Sequence, residues 1–139
     1  MPIKIERVRL SNLDALSRIE RESFTSEAYT REQIASLLES PNAVSLAAKV
    51  NDEIVGFIVG LTETGEDVTF GHVVTLDVAV KHRRAGVGLQ LLDQLEQVFR
   101  RKGVKTIYLE VRIDNEAARE LYRKKGYTDL VSLEDYYAK

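Results

Sequence analysis

The stretch that decides the fold runs from residue 68 to residue 102 and reads VTFGHVVTLDVAVKHRRAGVGLQLLDQLEQVFRRK. Its first part, Val68 to Val80, is long and rich in β-branched residues, which predicts a central strand. A turn with two glycines, Arg83 to Gly88, follows that strand. A helix is predicted from there to Lys102, with apolar residues inward at Leu89, Leu92, Leu95 and Phe99. Gly103 is well placed to end this helix.

The segments before this unit predict a strand, two helices and a hairpin. Residues 3–10 alternate as a first strand, and Ser11 is predicted to cap the helix that follows. Thr30 and Gln33 form a second capping box, and Pro41-Asn42 ends the short helix after it. Two further strands are predicted, joined by a turn at Asn51-Asp52; they span Ala43 to Val50 and Glu53 to Thr62.

The segments after the central unit add a strand, a helix and the start of a last strand. Val104 to Val111 is the strand, and Asp114 caps a helix that runs to about Lys125. Gly126 ends that helix, and a strand is predicted to begin at Tyr127. The order β-α-α-β-β-β-α-β-α-β predicts one mixed α/β domain over residues 1–139, with some parallel pairing at the crossovers.

Composition excludes several function classes. The 139 residues carry a formal charge of −2, which disfavours a nucleic-acid partner. The absence of cysteine excludes disulfides, thiol catalysis and Cys-ligated zinc, and two histidines make no His-rich metal site, so we expect no metal. No apolar run is long enough for a membrane span, and the N-terminus is unlike a secretory signal. We therefore expect a cytoplasmic protein without a membrane partner.

The turn Arg83 to Gly88 is the first candidate site. A turn that opens a helix presents unpaired backbone N–H groups, and these together with the helix dipole favour an anion. Arg83 and Arg84 add donors suited to a diphosphate. The turn lacks the Gly-Lys-Ser/Thr of a P-loop and the three-glycine dinucleotide fingerprint. The alternative is a plain strand–helix turn with solvated arginines.

Two motifs make the sequence recognisable. Arg83 to Gly88 resembles the Arg/Gln-x-x-Gly-x-Gly/Ala loop of the GCN5-related N-acetyltransferase (GNAT) superfamily. The run Leu109 to Asn115, with Tyr122 and Gly126-Tyr127 after it, is similar to the second signature of one branch. That branch contains the ribosomal-protein-alanine acetyltransferases and the archaeal and eukaryotic protein N-terminal acetyltransferases. Gly71 to Leu76 and the pair Tyr136-Tyr137 resemble the same branch, so the motifs cover residues 71–137.

The resemblance implies the fold and the co-substrate. Members of the superfamily pack helices on both faces of a twisted mixed sheet and transfer acetyl from acetyl-coenzyme A to an amine without a covalent enzyme intermediate. The loop amides hold the pyrophosphate and the backbone of the preceding strand pairs with the pantetheine arm. The cofactor-binding residues are then Leu76, Asp77, Val78, Arg83, Arg84, Ala85, Gly86, Val87, Gly88, Leu89, Asn115 and Tyr122.

The resemblance also implies the catalytic residues. Glu110 is placed as the base for the amine; from the residues alone it is an outward carboxylate, because Tyr108, Glu110 and Arg112 share one face of their strand. His72 matches a strand histidine of the archaeal members, and a structural role is its alternative. Tyr122 is placed to donate a hydrogen bond to the departing thiolate, and otherwise fills a helix–sheet seam.

The substrate implied is the N-terminus of a protein or peptide, including a ribosomal protein. Phe24, Glu27 and Tyr29 lie in the segment that forms one wall of the peptide groove in relatives, with Tyr136 and Tyr137 on the opposite wall. Loop aromatics can equally cap the core. The alternatives to this function are acetylation of a lysine side chain or small free amine, and a non-catalytic acyl-CoA-binding protein.

The C-terminus departs from the family pattern. Relatives continue past the tyrosine pair into a final strand, whereas this chain stops at Lys139. We therefore expect either that the sequence is shortened at its C-terminus or that the final strand is missing or supplied by another subunit. We also expect a monomer or a homodimer, since an open slot in a sheet favours pairing.

Overall fold

A computed structural model of the chain describes residues 2–24, 28–109 and 116–127. It divides into two units, Met1–Tyr108 and Leu109–Lys139, which are taken here in turn. The strands are β1 (Lys4–Arg7), β2 (Ala43–Val50), β3 (Glu53–Thr64), β4 (Thr69–Val78) and β5 (Thr106–Leu109). The helices are α1 (Leu13–Ser23), α2 (Arg31–Glu39), α3 (Val87–Arg101) and α4 (Glu116–Lys124).

The five strands among the described residues form one sheet in the order β1-β2-β3-β4-β5. The pairs β1–β2, β2–β3 and β3–β4 are antiparallel. Strand β5 lies beside β4 and is connected to it through α3, the kind of crossover that joins parallel neighbours. The mixed α/β fold class predicted from the element order is therefore confirmed.

Helices cover the two faces of the sheet separately. Leu16 and Ile19 of α1 and Ile34 of α2 form a buried cluster with Phe57 and Val59 of β3. The alternate residues of β3 point to the other face: a Cβ at Gly60 would come within 2.6 Å of the Phe99 ring in α3. We call these the α1/α2 face and the α3 face.

A β-bulge in β4 changes which of its residues share a face. Val59 pairs with Thr75, but the next residue, Gly60, pairs with Val73, so Val74 is the extra residue. Beyond the bulge, Leu61 pairs with His72. Because directly paired residues point to the same face, His72 and Thr75 both lie on the α1/α2 face although three positions separate them.

Local signals in the sequence are mostly confirmed. Thr30 and Gln33 form the expected capping box at the start of α2, with Gln33 N donating to Thr30 Oγ1 at 3.1 Å. Asn51 and Asp52 both have positive φ, as a tight hairpin turn between β2 and β3 requires. Gly103 follows α3 with φ +84°.

Two expected boundaries are wrong. Ser11 does not cap α1, because residues Leu10–Asn12 form a 3-10 turn and the helix starts at Leu13. Helix α3 starts at Val87, so Gly88 belongs to its first turn and not to the loop before it. At the first boundary a 3-10 turn occupies residues predicted as the strand end and the helix cap, and at the second the helix includes residues predicted as part of the turn.

The second unit contributes α4 among its described residues. Gly126 has φ +95° and ends the helix as predicted. The Tyr127 amide donates to the Tyr122 carbonyl at 3.0 Å, and the two rings meet edge to face at 5.9 Å. The Asp114 cap lies outside the described residues, and so does the strand expected to follow Tyr127. The same holds for the C-terminal segment on which the prediction about the final strand depends.

No helix within the described residues combines the length and the apolar character needed to cross a bilayer.

Candidate active site

The turn before α3 has the backbone that a bound anion requires. Gly86 occupies the position before the helix with φ +84°, and Arg84 also has a positive φ of 64°. A Cβ added at Gly86 would have nothing within 4 Å, so the surface there is open. The first amides of α3 have no carbonyl one turn earlier in the helix to bond, and they carry the positive end of its dipole. An open surface lined by these amides fits a diphosphate.

Arg83 is partly committed within the protein. Its Nε donates to the Val78 carbonyl at 3.1 Å and one Nη donates to Ser23 Oγ at 3.2 Å. The guanidinium therefore ties the end of β4 to the end of α1. Both arginines are expected to add donors for a diphosphate. Because Arg83 is partly committed, Arg84, which is exposed on the same turn, is the main candidate donor.

Two polar side chains near the end of β4, the strand before this turn, are buried against α1. Thr75 Oγ1 donates to Asp77 Oδ1 at 2.7 Å and lies 3.5 Å from Glu20 Oε1. Glu20 Oε2 accepts the Tyr29 amide at 2.9 Å, and Asp77 Oδ2 is buried with no hydrogen-bond partner among the described residues. Burial, followed by the neighbouring carboxylate of Glu20, raises the pKa of Asp77 well above its usual range.

A second cluster lies past the bulge on the same face. The His72 ring stacks on the Tyr108 ring with centroids 4.8 Å apart and planes 16° apart. Tyr108 donates its hydroxyl to Glu63 Oε2 at 2.8 Å, and Glu63 Oε1 lies 3.6 Å from His72 Nδ1. Phe70 meets the Tyr108 ring edge to face. The imidazole of His72, at the start of β4, therefore lies beside residues from the end of β3 and from β5.

A groove of about 530 Å³ opens beside this cluster. Leu61, which pairs with His72, lines it from β3, and Tyr29 lines it from the segment before α2. The remaining lining residues come from α2 and the residue after it, and they are Glu32, Gln33, Ser36, Leu37 and Ser40. The lining of the groove is mixed in chemistry, because Leu37 and Leu61 line it together with polar side chains.

The end of β4 carries the residues predicted to bind the cofactor, and one of their side chains is buried. Leu76, Asp77 and Val78 lie at the end of β4, as expected. The side chain of Asp77 is only 2% exposed and packs toward Glu20. Tyr108 of β5 contacts Phe70 and His72 in the first half of β4.

The other predicted site residues divide into described and undescribed ones. Phe24 and Tyr29 are half-buried between α1 and α2, Leu89 is exposed in the first turn of α3, and Tyr122 is buried in α4. The predicted residues that lie outside the described ones are Glu27, Glu110, Asn115, Tyr136 and Tyr137.

Sequence reasoning missed five residues of these clusters: Glu20, Glu63, Phe70, Thr75 and Tyr108. One signal was available, since Asp77 is an acid inside an apolar strand and must be buried with a partner. Its partner Glu20 is 57 positions away in the chain, so only the folded structure identifies it.

Known proteins resemble this chain over nearly its full length. The model of the acetyltransferase (GNAT) family matches residues 13–127. An N-alpha-acetyltransferase of Sulfurisphaera tokodaii is 31% identical over 97% of this chain and 86% of its own length. An uncharacterized N-acetyltransferase of Methanocaldococcus jannaschii is 34% identical over 96% of this chain and 83% of its own. The crystal structure of Ard1 from Thermoplasma volcanium has a TM-score of 0.83 and 28% identity, covering 94% of this chain and 86% of that one.

Proposed function

Because the chain belongs to the acetyltransferase (GNAT) family and is an N-acetyltransferase, we propose that it acetylates the α-amine at the N-terminus of a protein or peptide. The observation that carries the proposal is the pairing of Leu61 with His72 between β3 and β4. Leu61 lines the groove beside α2, and the imidazole of the neighbouring His72 can accept or release a proton. The likeness to the Sulfurisphaera N-alpha-acetyltransferase supports the choice of amine.

Acetyl-CoA is the co-substrate of the family, and the turn before α3 is where we propose that this chain binds it. The first-turn amides of α3 and the side chain of Arg84 would hold the diphosphate, and Gly86 leaves room for its approach. The main chain of Leu76 to Val78 would pair with the pantetheine arm. Asn115 is proposed to contact that arm as well.

The reaction needs one proton acceptor and one donor. Acetyl-CoA supplies a thioester, whose carbonyl carbon forms a bond to the amine nitrogen as its bond to sulfur breaks. The amine loses a proton in this step, and His72 and Glu110 are the proposed acceptors. The departing thiolate needs a donor, and we assign that role to the Tyr122 hydroxyl.

The α-amine suits this set of residues better than a lysine. An α-ammonium has a pKa near 8 and lysine one above 10, so roughly a tenth of the former and under about a thousandth of the latter is neutral at pH 7. A modest base such as an imidazole or a carboxylate is then sufficient.

The peptide would lie in the groove beside α2. Tyr29 lines one wall of this groove, and its amide donates a hydrogen bond to Glu20. This bond holds the wall in place, which favours a groove that is already formed before the peptide binds. Phe24 and Glu27 are proposed to extend this wall, and Tyr136 and Tyr137 to line the opposite one.

The experiment that tests the proposal is a peptide-array assay with the purified full chain and acetyl-CoA. The array varies the first two residues of short peptides and includes small polyamines as competitors. We expect acetyl-CoA consumption with a subset of the peptides, set by the first residues. Consumption with the amines alone, or with none of the substrates, contradicts the proposal.

A further inference from the structure

The carboxylate of Glu63 connects the two aromatic side chains of the second cluster. One oxygen accepts the Tyr108 hydroxyl at 2.8 Å, and the other lies 3.6 Å from His72 Nδ1. The distance to the imidazole is slightly longer than a hydrogen bond and lies within ion-pair range of a protonated ring. Catalytic hydrogen bonds are often this long before the substrate binds.

A carboxylate beside Nδ1 determines which nitrogen of a neutral imidazole carries the proton. The negative charge favours the tautomer with the proton on Nδ1, because only a protonated nitrogen can donate to it. Nε2 is then left with its lone pair, as a proton acceptor needs. The same carboxylate stabilises the positive charge that the ring gains when it takes up a proton.

Tyr108 restrains both members of this pair. Its hydroxyl holds Glu63, which is half exposed and would otherwise sample several rotamers. Its ring lies against the His72 ring with planes 16° apart, and this contact limits rotation of the imidazole. The side chain of His72 is 19% exposed, so one edge of the ring can still meet solvent or a substrate.

We propose that Glu63 and Tyr108 are positioning residues for His72, holding its imidazole with the proton on Nδ1 and with Nε2 open to the substrate amine. The inference rests on the role that the proposed function gives to His72. It assigns Glu63 and Tyr108 no contact with the substrate. Both act through the imidazole.

The tautomer of His72 is the most direct test, and it needs no substrate. Long-range proton–nitrogen NMR spectra of the full chain, recorded where the ring is neutral, identify the nitrogen that carries the proton; His72→Asn assigns the signals. We expect Nδ1 in the wild type and in Tyr108→Phe, and a shift toward Nε2 in Glu63→Ala. The same tautomer in wild type and Glu63→Ala overturns the inference.

The kinetic test asks whether Glu63 acts only through His72. We expect Glu63→Ala to lower kcat roughly 10- to 100-fold, because general-base catalysis is worth about 10²- to 10⁴-fold and the imidazole would keep part of it. In a His72→Asn background the same change should have no further effect, and Tyr108→Phe should have none in a Glu63→Ala background. Glu53→Ala, on an exposed position of the same strand, is the matched control and should leave kcat unchanged.

The outcomes separate this inference from the proposed function. If His72→Asn lowers kcat and Glu63→Ala does not, the inference is wrong and the role of His72 stands. An equal loss from Glu63→Ala with and without His72 also contradicts it. If His72→Asn keeps full activity, the proposed role of His72 fails, and the positioning inference fails with it.

Discussion

Thr75 and Asp77 are joined by a 2.7 Å hydrogen bond on the α1/α2 face, two positions apart on a strand whose side chains there are buried. The hydroxyl satisfies one oxygen of Asp77, and the other is without a partner among the described residues. Glu20 lies against the same pair. The carboxyl groups of Glu20 and Asp77 are close together and shielded from water, so they cannot both be ionised without a large cost in free energy.

This arrangement predicts a pH-dependent stability. The raised pKa of Asp77 means that the folded state keeps a proton that the unfolded chain loses near its ordinary value of 3.8. Stability from this group is complete below that pH and is lost as the pH rises toward the folded-state pKa. We expect Asp77→Asn, which stays neutral, to raise the free energy of unfolding by roughly 1–3 kcal/mol near about pH 8.

Denaturation in urea across the pH range measures this difference. The stabilities of the wild type and Asp77→Asn should converge toward about pH 4 and separate as the pH rises. Glu53→Gln is the control for an exposed carboxylate on the neighbouring strand. Parallel curves for the wild type and Asp77→Asn would mean that Asp77 is not the buried acid described here.

The turn before α3 predicts a position-specific loss of coenzyme A binding. Gly86 and Gly103 flank the same helix, have the same φ of +84° and have open space where a Cβ would lie. Gly86→Asp and Gly103→Asp therefore cost similar backbone strain, about 1–2 kcal/mol. We expect Gly86→Asp to abolish binding of coenzyme A in calorimetry, while Gly103→Asp keeps the wild-type affinity. Equal affinities for the two variants would show that the diphosphate of coenzyme A does not bind at this turn.

The proposed base predicts a change in the pH dependence of turnover. We expect Glu110→Gln to lower kcat/KM most at low pH, where the substrate α-amine is mainly protonated and a base is needed most. Glu120→Gln, on an exposed position of α4, should leave the profile unchanged. A Glu110→Gln profile parallel to the wild type excludes Glu110 as the base.

Close packing of α3 on the sheet predicts a compensating pair of substitutions. A Cβ at Gly71 would lie 2.7 Å from the Phe99 ring and 3.1 Å from Val104. We expect Gly71→Ala to destabilise the fold by about 1–3 kcal/mol. Phe99→Leu should relieve part of that cost, and thermal unfolding of both single variants and the double variant measures the coupling. Additive effects would show that the ring does not limit the space at Gly71.

The sequence predicts features that depend on neighbouring residues. The Thr30–Gln33 capping box, the Asn51-Asp52 turn and the Gly103 stop are local, and each is found in the structure. The residues of the turn before α3 indicate an anion site by themselves, and the family resemblance adds the position of His72, which periodicity alone leaves open.

Features that depend on register were not predictable in the same way. The bulge at Val74 follows from how β3 and β4 align, and it alone places His72 and Thr75 on one face. The same holds for Glu63 and Tyr108, which are 45 positions apart and meet only because two strands flank β4. An alternation of apolar and polar residues carries no information about such pairs.

The most direct test of the central claim locates the acetyl group on a peptide with one α-amine and one internal lysine. A twin peptide with a blocked N-terminus is the control. After incubation with the full chain and acetyl-CoA, tandem mass spectrometry should place the acetyl group on the α-nitrogen and leave the blocked twin unmodified. Acetylation of the lysine side chain in both peptides would contradict the account.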